Sequence, residues 1–175
     1  MVTGGYVMTH QPVVEKVLRE GDGAGRGAAP DITLRLVGAL LALAVAAVHV
    51  ADQGSVTALR TPDTIGWGYR LIEAGGVLTA LVLLLARPDR PALARTGWAA
   101  AALLGAGPFV AYVLSRSVGV PGDAADIGDW SYWLGTVSLF VEAALVLLSA
   151  SMLMALRRSA VRGAPGDIGR ERPDG

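Results

Sequence analysis

The sequence contains no cysteine, which excludes disulfide bonds, thiol redox chemistry and thiolate metal sites. Charged residues are also scarce: they make up 17% of the chain, against about 25% in a typical soluble domain. Apolar residues account for 53%, a composition that favours a protein with lipid as its solvent. The formal net charge is zero, so nothing indicates binding to nucleic acid.

Four apolar stretches divide the chain, and each is close to or longer than the ~20 residues needed to cross ~30 Å of hydrocarbon. They cover residues 32–51, 68–86, 96–115 and 132–156. The sequence therefore predicts an all-α fold, a four-helix transmembrane bundle over residues 32–156. The flanking tails, residues 1–31 and 157–175, cannot bury a core and are predicted to be disordered.

Basic residues indicate how the predicted helices are oriented. Most of them precede the first helix, separate the second from the third, or follow the fourth. By the positive-inside rule, both termini are predicted to be cytoplasmic, and the loops 52–67 and 116–131 to face outward. The predicted location is a bacterial plasma (inner) membrane, which the chain crosses several times with the lipid bilayer as a partner.

Aromatic residues near the helix ends predict where the lipid headgroups lie, because amphipathic rings favour that zone. Trp98 marks the inner side. The outer side is marked by Trp67 and Tyr69 on the second helix, and by Trp130, Tyr132 and Trp133 around the start of the fourth.

Each predicted helix carries small residues at helical spacing, on the face that also bears its polar groups. Lipid gives no hydrophobic drive for helix association, so these faces are expected to form the contacts between helices. They comprise Ala39, Ala42 and Ala46 on the first helix, Gly76 and Ala80 on the second, Gly97, Ala101 and Gly105 on the third, and Gly135, Ser138 and Ser149 on the fourth.

Three ionisable residues lie inside the apolar stretches, where a charge at the bilayer centre costs at least ~2.5–3.5 kcal/mol and normally has a partner. Counting about 1.5 Å of rise per residue from the aromatic belt predicts a polar layer in the outer half of the bundle. It consists of His49, Glu73, Tyr112, Arg116, Ser138 and Glu142. Glu142 falls about one turn deeper than Ser138, and it is expected to be neutral, as the floor of the layer or as a separate packing contact.

One interpretation of this layer is structural. Glu73 pairs with Arg70 or Arg116, and the network holds the helices in register. His49 bonds Tyr112 or a carboxylate of an outer loop in the same interpretation. Every polar group then has a partner within the protein.

A second interpretation is a site for a divalent metal ion formed by His49, Asp52 and Glu73, because imidazole and carboxylate are suitable ligands and bundle cores often hold such sites. His49 and Asp52 are three residues apart on one helix face. Haem is disfavoured, since the other histidine, His10, lies in the tail on the opposite side of the membrane.

Proton or ion conduction through Glu142 and the layer around His49 is a further alternative. Catalysis is not predicted, because Ser138 and Ser115 lack the Gly-x-Ser-x-Gly turn of a nucleophilic serine. The sequence favours a non-enzymatic integral membrane protein, an accessory or scaffold subunit that recognises a membrane-protein partner or forms a homo-oligomer. The competing hypothesis is a protein that handles metal ions, other ions or protons at His49, Glu73 and Glu142.

Residues 112–122 resemble a signature of small bacterial four-span membrane proteins that are common in actinobacteria. They read Tyr-Val-Leu-Ser-Arg-Ser-Val-Gly-Val-Pro-Gly and match the pattern Leu-Ser-Arg-x-x-Gly-x-Pro. His49, Trp67 and Glu142 are similar to positions in the same group, and the resemblance covers residues 32–156. It departs at Ser117 and Gly122, where the group often has a threonine and a bulky residue. The resemblance implies four spans and no established activity.

Arg116 within this signature has two interpretations. Its guanidinium is placed to clamp a carboxylate such as Glu73, Asp126 or Asp129, or to anchor the helix end at the interface. The functional alternative is a contact with an anion or substrate that arrives from outside.

Overall fold

The computed structural model describes residues 28–57, 63–87, 89–121 and 124–162. These residues form four long helices and one short 3₁₀ helix, Ala124–Asp126, and no strand. The long helices are α1 (Ala28–Gln53), α2 (Asp63–Leu85), α3 (Pro91–Ser117) and α4 (Trp133–Arg162). All four are long and apolar enough to cross a membrane. These helices confirm the predictions of an all-α fold and of a multi-pass membrane protein.

The helices are longer than the predicted spans. α4 continues to Arg162, so the prediction that a disordered tail begins at residue 157 is wrong over residues 157–162. Arginine is a good helix former, and the first residue that favours a helix end is Gly163. At the other terminus, α1 begins at Ala28 rather than at residue 32. The remaining parts of both predicted tails, residues 1–27 and 163–175, lie outside the described residues.

Among the described residues, the chain divides between Arg35 and Leu36 into two units. Within the second unit, small residues bring helix backbones close together. A Cβ atom on Gly76 of α2 would lie 2.7 Å from the carbonyl oxygen of Ala42 on α1. A Cβ on Gly105 of α3 would lie 2.8 Å from the carbonyl oxygen of Glu142 on α4. Both distances are too short for a methyl group, which confirms the predicted small-residue contacts.

Trp98 corrects the predicted aromatic belt. Its side chain is only 1% exposed, and a Cβ on Gly38 of α1 would lie 2.7 Å from its ring. The indole therefore packs into the notch at that glycine instead of reaching the headgroups. Trp67, Trp130 and Trp133 are exposed, as residues of an interfacial belt should be.

The connection between α3 and α4 folds back over the end of α3. Gly119 has φ +83, a left-handed conformation that glycine adopts at least cost, and its N–H donates to the carbonyl oxygen of Leu114 at 2.9 Å. Further along, the N–H of Gly128 donates to the carbonyl oxygen of Arg116 at 2.9 Å. The connection is thus fastened to the last turn of the helix it follows.

Candidate functional site

A cavity of about 290 Å³ lies in the half of the bundle nearest the α1–α2 and α3–α4 connections. All four helices line it. The apolar lining includes Val48, Ile65, Ile72, Pro108 and Leu134. Ten polar side chains also line the cavity: His49, Asp52, Tyr69, Tyr112, Ser115, Arg116, Asp126, Tyr132, Ser138 and Glu142. Five of these, His49, Tyr112, Arg116, Ser138 and Glu142, belong to the predicted polar layer, and Asp52 was predicted as a metal ligand.

Glu142 forms the polar floor of the cavity. It is 1% exposed, and the hydroxyl of Ser138 donates a hydrogen bond to its Oε1. The Nε2 of His49 lies 3.9 Å from the same oxygen. The second oxygen, Oε2, is buried and has no hydrogen-bond partner among the described residues. Such an atom is costly in an apolar medium unless something else satisfies it.

The ring of His49 is held by its own helix. Its Nδ1–H donates to the carbonyl oxygen of Val45 at 2.9 Å, and its ring packs at a tilt on Tyr69 with centroids 5.3 Å apart. In the neutral imidazole, a proton on Nδ1 leaves Nε2 as an acceptor. It is this nitrogen that faces Glu142.

The meeting of His49 and Glu142 corrects the prediction that His49 bonds Tyr112 or an outer-loop carboxylate. Of the two alternatives predicted for Glu142, the structure favours the floor of the layer over a separate packing contact. Side chains on a helix tilt toward its N-terminus. Since α1 ends in this half of the bundle and α4 begins there, His49 tilts down from the rim and Glu142 tilts up from the middle. The opposite tilts bring the two side chains together, although counting residues along the backbone predicted that His49 and Glu142 lie at different depths.

Asp52 joins three segments at the rim. Its carboxylate accepts a hydrogen bond from the hydroxyl of Tyr69 on α2. It accepts another, of 2.5 Å, from the hydroxyl of Tyr132 just before α4. Sequence reasoning assigned both tyrosines to the headgroup belt. The spacing of Tyr69, one turn before Glu73 on the inward face of α2, is the signal that could have placed it in the site.

Glu73 does not line the cavity. Its Oε2 accepts a hydrogen bond of 2.6 Å from Nη1 of Arg70 on the same helix. Its Oε1 accepts one of 2.6 Å from the amide of Gln53 on α1. Of the two predicted partners, Arg70 is therefore the one that pairs with Glu73, and this part of the network fastens α1 to α2.

Arg116 is 6% exposed and forms an ion pair with Asp126. Its Nη1 also donates to the backbone carbonyl of Asp126 at 3.3 Å, and its guanidinium carbon lies 4.9 Å from the centroid of the Tyr112 ring. Among the predicted carboxylates, the pairing is thus with Asp126 of the α3–α4 connection. Arg116 both borders the cavity and holds that connection in place.

Tyr112 crosses from α3 to α4. Its ring and hydroxyl occupy the space that a Cβ on Gly135 would need, with the hydroxyl oxygen 2.6 Å from that position. The hydroxyl is buried and has no hydrogen-bond partner in the part of the chain that is described. Three residues of the cavity lining therefore carry a buried polar atom that the described residues leave unsatisfied: Oε2 of Glu142, the hydroxyl of Tyr112 and Nε of Arg116.

The predicted metal ligands do not form a metal-binding group. Over the described ranges, no group of three or more His, Asp or Glu side chains is arranged to hold a metal ion. His49 faces Glu142, Asp52 is bonded by two tyrosines, and Glu73 is bonded by Arg70 and Gln53. The three predicted ligands, two on α1 and one on α2, thus contact separate partners.

Comparison of the chain with models of protein families gives no match, and comparison with curated proteins and with solved structures gives none either. The resemblance carried by residues 112–122 stays a prediction. Arguments about function therefore depend on the cavity and the residues around it.

Proposed function

We propose that this protein is a non-enzymatic, multi-pass membrane protein that binds a small ligand in the cavity between its four helices. The observation that carries the proposal is the unsatisfied Oε2 of Glu142 in the lining of a cavity of about 290 Å³. Ligand sites are typically concave and mostly apolar, with a few convergent polar groups. Ionisable groups inside a membrane commonly mark the paths and sites of ligands and ions.

A purely structural network would be expected to close this space. Buried polar atoms in proteins are almost always paired, and a network that only holds helices in register gains nothing from leaving polar atoms of the cavity lining unsatisfied. Both carboxylate oxygens of Glu73 have partners, whereas Oε2 of Glu142 and the hydroxyl of Tyr112 have none among the described residues. The accessory or scaffold role predicted from the sequence stays a prediction, and a ligand site has more support in the cavity.

The orientation follows from the basic residues. With both termini in the cytoplasm of a bacterial cell, the cavity lies in the outer half of the plasma membrane and is reached from outside. Fusions of alkaline phosphatase and of green fluorescent protein at Thr57, Asp89 and Asp123 test this topology. Phosphatase activity at Thr57 and Asp123, with fluorescence at Asp89, is expected. The reverse pattern would place the cavity on the cytoplasmic side.

Binding itself is tested with three probes that share a phenyl ring and differ in their polar group: 2-phenylethylamine, 2-phenylethanol and phenylacetate. Titration calorimetry on the protein in dodecyl maltoside micelles is expected to detect binding of at least one. Gly68 lines the cavity, and a Cβ there meets no atom within 4 Å, so Gly68→Leu is expected to fill the space and abolish the signal. Absence of binding by all three probes contradicts the proposed function.

Proton transfer is a second candidate, favoured by the 3.9 Å between His49 Nε2 and Glu142 Oε1. Pairs of titratable groups separated by such a short distance inside a membrane are a common element of proton relays. Proteoliposomes with a pH-sensitive dye inside test it under an imposed potential. Proton flux that His49→Ala abolishes would support the relay, and flux no higher than in protein-free liposomes would exclude it.

A further inference from the structure

We propose that the ligand of this cavity is an organic cation, a protonated amine with a compact apolar body, and that Glu142 is its counter-ion. The inference rests on the proposed binding function and concerns the chemical class of the ligand. It is carried by the charge balance of the lining, by the unsatisfied oxygen on Glu142, and by the aromatic and apolar walls.

Carboxyl groups outnumber cationic groups in the lining. Three carboxyl side chains, those of Asp52, Asp126 and Glu142, border the cavity beside one guanidinium, that of Arg116. The ion pair between Arg116 and Asp126 cancels one charge of each sign. Two further carboxyl side chains, those of Asp52 and Glu142, remain in the lining. An anion entering this space would approach carboxyl oxygens in a medium of low dielectric, where repulsion between like charges is strong.

Arg116 is held mainly by the α3–α4 connection. Its Nη1 pairs with the carboxylate of Asp126 and donates to the backbone carbonyl of the same residue, while its Nε is buried and has no hydrogen-bond partner among the described residues. An anion bound at Nε would lie next to the carboxylate of Asp126, and the repulsion between them disfavours that contact. An anion at Arg116 is therefore less favoured than a cation at Glu142.

Glu142 offers what an ammonium group needs. Its Oε2 is a buried acceptor with no partner among the described residues, and it belongs to a side chain that is 1% exposed. An ammonium N–H supplies both a hydrogen bond and a neutralising charge, and such charge-assisted bonds are among the stronger ones in proteins. The hydroxyl of Tyr112, also unpartnered in the described part, offers a second acceptor in the same lining.

The walls fit the rest of such a molecule. Tyr69, Tyr112 and Tyr132 line the cavity, and the faces of aromatic rings attract cations. Ile65 and Leu134 contribute apolar surface. The cavity, about 290 Å³, is roughly twice the ~150 Å³ of an engineered cavity that holds benzene. One ring with a short aminoalkyl chain therefore fits, and of a large amphiphile only the headgroup fits.

The three probes separate this inference from the proposed function. In wild-type protein we expect 2-phenylethylamine to bind at least about tenfold more tightly than 2-phenylethanol, a difference of about 1.4 kcal/mol, and phenylacetate to bind most weakly. Equal or tighter binding of the alcohol or the carboxylate overturns the organic-cation inference and leaves the binding function intact. Failure of all three to bind overturns both.

The role of Glu142 is tested by Glu142→Gln, which keeps the shape of the side chain and removes its charge. We expect this variant to bind the amine at least about tenfold more weakly and to bind the alcohol as wild type does. Glu73→Gln is the matched control, because Glu73 lies outside the cavity, and its amine affinity is expected to stay within about twofold of wild type. Unchanged amine binding by Glu142→Gln overturns the assignment. If that variant does not fold, the order of the three probes in wild type still decides the ligand class.

Two natural ligands would present an ammonium group to this cavity, a free amine and the headgroup of phosphatidylethanolamine, and a further titration distinguishes them. The amine titration is repeated after adding phosphatidylethanolamine or phosphatidylglycerol to the micelles. Competition by phosphatidylethanolamine alone assigns the site to a lipid headgroup, and no competition assigns it to a free amine. Equal competition by both lipids contradicts recognition of an ammonium group.

Discussion

The contact between α1 and α2 at Gly76 allows a sharp test of the packing that surrounds the cavity. A Cβ on Gly76 would lie 2.7 Å from the carbonyl oxygen of Ala42 and 2.8 Å from the Cβ of Ala46. Ordinary contacts begin at 3.4 Å, so Gly76→Ala must separate the two backbones by about 0.7 Å, enough to lose much of the attraction between their atoms. Overpacking of this kind costs about 1–3 kcal/mol of unfolding free energy.

Gly75→Ala is the matched control, since the substitution is identical, is made in the same helix and is one residue away. A Cβ on Gly75 meets only Cδ1 of Leu104, at 3.5 Å, which is an ordinary contact. Alanine is also the better helix former, by up to about 1 kcal/mol. We therefore expect Gly75→Ala to be neutral or slightly stabilising, so that the two variants differ by at least about 1 kcal/mol.

Unfolding by increasing sodium dodecyl sulfate in mixed micelles, followed by circular dichroism or tryptophan fluorescence, measures both variants against wild type. Gly76→Ala is expected to unfold at a lower mole fraction of the denaturing detergent than Gly75→Ala. Equal midpoints would show that α1 and α2 do not approach at Gly76, and would refute the packing described. A Gly76→Ala protein that binds the amine more weakly would further connect this contact to the cavity.

Two further predictions concern the α3–α4 connection. Arg116→Lys loses the planar guanidinium fork, and we expect it to lower the free energy of unfolding by about 1–3 kcal/mol and to make the connection sensitive to proteolysis. Arg95→Lys is the control, because Arg95 is exposed, and it is expected to change neither. Wild-type resistance in Arg116→Lys would indicate a simple interfacial anchor. Gly119→Ala and Gly128→Ala both place alanine at positive φ, which costs roughly 1–2 kcal/mol. The Cβ of Gly119→Ala also lies 2.9 Å from the side chain of Ile127, so this variant is expected to unfold at a lower mole fraction of sodium dodecyl sulfate than Gly128→Ala. Equal midpoints for the two variants would contradict the described loop.

Sequence reasoning located several polar residues of the cavity lining because the relevant signals are local. Small residues at helical spacing mark the inward face of each helix, and polar groups on that face must point into the bundle. His49, Ser138 and Glu142 were recognised on this basis, and all three line the cavity. Glu73 satisfied the same rule and does not line it, because its own helix supplies Arg70 as a partner.

The sequence by itself determined that four apolar helices form and which faces they turn toward one another, since the length of a span is set by the thickness of the bilayer and its inward face by periodicity along one helix. Only the tertiary structure decided which polar groups meet. The pairing of His49 with Glu142 depends on side chains of antiparallel helices tilting toward each other, and the burial of Trp98 depends on a notch at Gly38 in a different helix. The cavity is likewise a property of all four helices together, because its volume is the space that their side chains jointly leave unfilled.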